Sequence, residues 1–154
     1  MRWPITIIVA LLGGFAFALL VFLMHDSSAE LRASIEVVLK RKLNLPNASI
    51  SQEFLAGRRE TDPDGFWAVE LGDESLNLEK ALANSEFGKS DDDDNRFFRS
   101  TIEKAFGKAL PNGYRSYEAN LALGDGTICP STLCNIVILF ATDEQTMYVQ
   151  IWKN

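Results

Sequence analysis

Few residues in this 154-residue chain have the types and spacing that chemistry requires, and each is tightly restricted. Two cysteines, Cys129 and Cys134, bracket Pro130-Ser131-Thr132-Leu133. A redox-active pair usually has two residues between its sulfurs, and this one has four. The one histidine, His25, stands at the end of an apolar stretch, so neither a Cys/His zinc set nor a Ser-His-Asp triad can be assembled on the rest of the chain. The remaining reading is a Cys129–Cys134 disulfide closing a small loop, which places the domain in an oxidising space. Free thiols in a reducing cytosol are the alternative.

The carboxylates are more numerous but dispersed. Glu53, Glu70 and Glu118 fall on candidate strands, where a solvated sheet face is their ordinary role, and nothing in the sequence pairs them for acid–base work. Asp91-Asp92-Asp93-Asp94-Asn95 puts Asp91, Asp93 and Asn95 at positions 1, 3 and 5 of a calcium loop. Arg96 then stands where that loop needs glycine, and Ile102 where it needs a bidentate glutamate. Clustered carboxylates facing the positive end of a following helix are the plainer reading. Gly124-Asp125-Gly126 lacks the following helix that phosphate binding uses, and no cofactor motif appears. The expectation is a non-catalytic protein with no metal and no cofactor; a small hydrolase working with carboxylates alone is the weakest alternative.

These residues are carried by a chain of two materials. From Ile5 to Met24 there is no charge, and Thr6 is the only hydroxyl. As a helix this run would be about 30 Å long, the thickness of a bilayer's hydrocarbon core. Residues 3–24 therefore predict a membrane anchor within a first segment, 1–28. A cleavable signal is the competing reading, with Ser27 and Ala29 as small residues before Glu30. Flanking charge does not decide orientation, since Arg2 precedes the run and Arg32, Lys40, Arg41 and Lys42 follow it. The cysteine pair and Asp26 favour an exported C-terminal domain. Ala10, Gly14 and Ala18 recur every fourth residue, a smooth strip on which another membrane helix can pack.

Residues 29–154 make one domain of ordinary size. Its elements read as an amphipathic helix over 28–45, with Leu31, Ile35, Val38, Leu39 and Lys42 on one stripe, stopped by Pro46. Lys40-Arg41-Lys42 complements the dipole of that helix's last turn, or else contacts anionic polymers or lipid headgroups. Strands follow at 49–55, with Ile50 and Phe54 on one face, and at 66–71, joined by Thr61-Asp62-Pro63-Asp64-Gly65. A short helix spans 74–84, and 85–90 is a polar connection. A third helix runs over about 95–110, with Phe98, Ile102, Ala105, Phe106 and Ala109 as its buried stripe. Phe97 lies on the edge of its polar side beside Arg96 and Arg99, a composition typical of interfaces. Three strands close the chain as an antiparallel meander, the middle one a continuous apolar run, Asn135 to Ala141, suited to cover on both faces.

The fold expected is α+β: an N-terminal transmembrane helix, then a two-layer domain of helices on an antiparallel sheet of about five strands. A net charge of −6 argues against a nucleic-acid partner. The function expected is that of a single-pass envelope protein held in the cell membrane. Its exported domain, in the periplasm or at the cell exterior, would be an accessory or protein-interaction module for a membrane-protein partner. Ala10, Gly14 and Ala18 would serve in the membrane, and Phe97, Arg96 and Arg99 outside it. A cleaved, secreted binder of inhibitor or immunity type, using the disulfide loop, is the alternative.

Overall fold

The computed structural model describes residues 27–56, 64–142 and 144–153. Among them one antiparallel sheet of six strands is assembled in the order β1-β2-β6-β5-β4-β3. The strands are β1 Ser49–Ala56, β2 Asp64–Glu70, β3 Gly88–Lys89, β4 Arg115–Leu121, β5 Cys134–Phe140 and β6 Thr146–Lys153. Three helices accompany them: α1 Ser28–Val37, α2 Ser75–Ala83 and α3 Asp92–Phe106.

Two separate cores lie on the two faces of this sheet. On one face, Leu31, Ile35, Val38 and Leu39 from the first helical segment and Leu78 and Leu82 from α2 pack on Trp67, Val69, Ile136, Ile138, Val149 and Ile151. On the other, Phe98 and Ile102 of α3 cover Val137, Leu139 and Tyr148. The period of 2 along each strand divides the residues between the cores, and the period of 3.6 along each helix supplies the matching stripes. Because β5 is apolar at consecutive positions, it demands cover on both sides, and it receives it.

Four expectations are corrected. The sheet has six strands, not five: Gly88–Lys89 adds a two-residue edge strand on Tyr117 and Glu118, too short to leave any alternation in sequence. The helices form two layers about the sheet rather than one, since α3 lies on the face opposite α1 and α2. Among the described residues no helix is long and apolar enough to cross a membrane. The run expected to do so, 3–24, lies outside the described residues, with Ala10, Gly14 and Ala18. Finally, Ile50 and Phe54 do not share a face. A β-bulge between Ile50 and Gln52 sets Ile50 opposite Val69 but Phe54 opposite Phe66.

The joints of the fold are built from particular residues. Past Val37 the first helix widens into one π-helical turn, Val38–Lys42, and Leu43 N–H reaches the Val38 carbonyl at 3.0 Å. Asn44 then takes a left-handed φ of 53°, and Leu45 N–H returns to the Leu39 carbonyl at 2.8 Å. That closure turns both Leu43 and Leu45 into the core. In β2, the Trp67 indole lies across Gly65, where an added Cβ would meet the ring at 2.1 Å. The α3 helix starts three residues before the position expected, because Asp91, the first of the clustered carboxylates, is its cap. It ends at Gly107, whose φ of 64° suits glycine, well before Pro111.

Candidate interaction surface

The acidic run preceding α3 is a helix cap. The Asp91 carboxylate accepts hydrogen bonds from the backbone N–H groups of Asp93 and Asp94, both at 2.9 Å, while Asp92, Asp93 and Asp94 occupy the positive first turn. Asn95 is already helical and is bound elsewhere: its Oδ1 accepts from Ser116 N–H at 2.7 Å and its amide donates to the Tyr114 carbonyl. The run is therefore helical where a calcium loop would have to be open. Replacing Asp91 with alanine is expected to lower stability by about 1 kcal/mol, read as a shift in denaturation midpoint, with Asp91→Asn restoring most of it. Equal loss in both variants would mean that charge at this end, not capping, is what matters.

The cap fixes the first turns of α3 and so the three residues expected to meet a partner, which point to different fates. Phe97 is 65% exposed. Its ring packs against Phe98 in an edge-type contact, with centroids 5.5 Å apart, while Phe98 itself is buried. Arg96 is exposed and paired with Asp93, one turn earlier. Arg99 belongs to the domain's interior work. Its Nε donates to Glu103 at 3.1 Å, and its guanidinium donates to the Leu110 carbonyl. Glu103 also accepts Leu110 N–H at 2.8 Å, and this bond, with Arg99 in support, holds the Glu103 carboxyl below its ordinary pKa. Arg99 and Glu103 thereby staple the 107–110 turn to the helix.

Among the described residues, three other large apolar side chains are exposed: Ile50, Phe54 and Leu133. Ile50 and Phe54 belong to β1, an edge strand blunted by its bulge. Leu133 projects from the loop closed by the Cys129–Cys134 disulfide, whose Cα atoms are 5.7 Å apart. Both cysteines are fully buried, while Pro130 to Leu133 is exposed throughout. The loop is held from behind by Leu123 N–H on the Cys129 carbonyl at 2.9 Å and by Ile128 N–H on the Ser34 hydroxyl of α1.

The strand carboxylates are not brought together. Glu53 faces α1, where Arg32 grips it through two nitrogens and the Trp67 indole N–H donates to it at 3.2 Å. Glu70 is on the other face, accepting from the Thr146 hydroxyl. Glu118 also lies there but on β4, with β6 and β5 between. Among the described residues no group of three or more His, Cys, Asp or Glu side chains could hold a metal. The Arg32–Glu53–Trp67 set escapes sequence reading because it joins a helix to an edge strand 21 positions away.

Arg32 is the main reason the Glu53 carboxyl titrates below its ordinary value near 4.5. A carboxyl lowered by folding stabilises the native state above its unfolded pKa, and that contribution disappears as pH falls through the folded value. Acidification below about 4.5 is thus expected to weaken the docking of α1 on β1. Urea titrations from neutral to acid pH should show a smaller acid loss in Glu53→Gln than in the native chain. Parallel curves would assign the acid loss to other groups.

No protein-family model, no curated protein and no solved structure matches this chain.

Proposed function

We propose that the domain is a non-catalytic, exported protein-interaction module, held at the cell membrane through its apolar first residues. The observation that carries this reading is Phe97: a large aromatic, 65% exposed, on a helix whose cap, clamp and buried stripe are all satisfied without it. Aromatic residues next to an arginine are what interface centres use, and Phe97 with Arg96 supplies that pair. Arg99 is removed from the contact set, since its donors serve Glu103 and Leu110. The disulfide supports an oxidising compartment.

The test is co-purification from membranes with Phe97→Ser. Because Phe97 is not in the core, stability should change by no more than about 0.5 kcal/mol. The variant should nevertheless lose a partner that the native chain retains. Recovery of every partner in unchanged amount would overturn the assignment of Phe97.

The second reading, a cleaved binder using the disulfide loop, has Leu133 as its specific support, exposed at the tip of a loop pinned at both ends. Against it, cleavage before Glu30 would remove buried Ser27 and Ser28. It would also remove the Ser27 carbonyl that accepts Leu31 N–H at 2.9 Å. Sequencing the mature N-terminus separates the readings: Glu30 as first residue favours the secreted binder, and retained Met1 the tethered module.

A further inference from the structure

We propose that the cleft between the end of the first helical segment and α2 binds a phosphate group carried by a larger molecule. Two joined depressions open there. One, of about 470 Å³, is lined by Lys42, Asn44, Asn77, Lys80 and Asn84. The other, of about 460 Å³, shares Lys42 and Asn84 and adds Arg41 and Glu86. The chain as a whole carries −6, yet three cations and three side-chain amides line this place against one carboxylate.

The cations have a structural role to discount first. They sit in the last turns of two helices, where the carbonyl ends carry about half a negative charge each. Glu86 supplies a full one and binds Lys42 at 3.2 Å. Those negative charges answer two of the three cations and leave about one positive charge over. The surplus has an address: the side chains of Arg41 and Lys80 make no ion pair or hydrogen bond among the described residues. Neither do the side-chain amides of Asn44 and Asn77, whose N–H groups add neutral donors on the same walls.

Cations with amide donors around them suit an anion with several oxygens on one centre, since a phosphate accepts from more directions than a carboxylate. Both depressions open to solvent, so a phosphate can enter with its ester substituent left outside. A lipid headgroup and a soluble phosphate ester share this chemistry.

The experiment follows backbone amide shifts of Lys42, Asn44, Lys80 and Asn84 in the isotope-labelled full chain. In one arm the chain is in neutral detergent, and sodium phosphate or glycerol phosphate is added at ionic strength held constant with chloride. In the other, the chain is placed in phosphatidylcholine nanodiscs with or without phosphatidylglycerol. Saturable shifts in the first arm support the site with a soluble ester as its ligand. Shifts only with phosphatidylglycerol support it with a lipid headgroup. In either case Lys80→Gln and Arg41→Gln should each weaken binding by about tenfold, with unchanged melting. Shifts that chloride reproduces, the absence of shifts in both arms, or unweakened binding by the two variants would overturn the proposal.

Discussion

Trp67→Ala is expected to cost about 3–5 kcal/mol, the largest single-residue effect in this domain. The side chain is fully buried in the middle of β2, within the core that joins the first helix and α2 to the sheet. Its loss would leave a cavity that two flanking strands, β1 and β6, hold open. It would also remove the indole N–H from Glu53, leaving Arg32 as that carboxylate's remaining partner on this face. Against a typical domain stability of about 5–15 kcal/mol, this is a large share. Gly65→Ala puts a methyl group into the ring of a tryptophan that cannot swing away, and is expected to cost about 1–3 kcal/mol. With Trp67 already replaced by alanine the same methyl enters empty space, so the two losses should fall short of additivity by at least 1 kcal/mol or so. Denaturant unfolding of the two single variants and the double variant measures this directly. Additive losses would show that the ring does not constrain Gly65.

Cys129→Ala with Cys134→Ala is expected to lower stability by about 2 kcal/mol, the chain-entropy value for closing so short a loop. Both sulfurs are fully buried, and Cys134 opens β5 by pairing with Leu121 and Lys153. The link therefore acts where the most buried strand enters the sheet. Reductant should bring the native chain to the midpoint of the double variant and leave that variant unmoved. An unreduced chain whose midpoint is insensitive to reductant would show that the bond is not formed in solution.

The parts of the fold legible beforehand are those that repeat their signal. The strands β4, β5 and β6 each offer at least three same-face residues, and the acidic run announces a helix start, although the helix begins three residues earlier than expected. What escaped is carried by single events. One bulged residue, Ser51, reverses the relation of Ile50 to Phe54, and its hydroxyl bonds the Ala68 carbonyl across the strand. The two-residue β3 has no period to read. The side of the sheet taken by α3 follows from connection and twist, not from its stripe. The bonds of Arg99 were not legible either, because one acceptor, the Leu110 carbonyl, comes within reach only after Gly107 turns the chain back. The cationic cleft was half visible as Lys40-Arg41-Lys42, but Lys80 and Asn77 join it only through tertiary packing.

The place of β6 in the sheet bears on when this chain can fold. The last strand in sequence is the inner seam: on one side it pairs with β2, and on the other with β5. Asp64 is matched with Trp152, so β1 and β2 have no pairing route to β5 and β4 until β6 is in place between them. Loop closure over that distance must precede the contacts that reward it, which makes folding late and all at once.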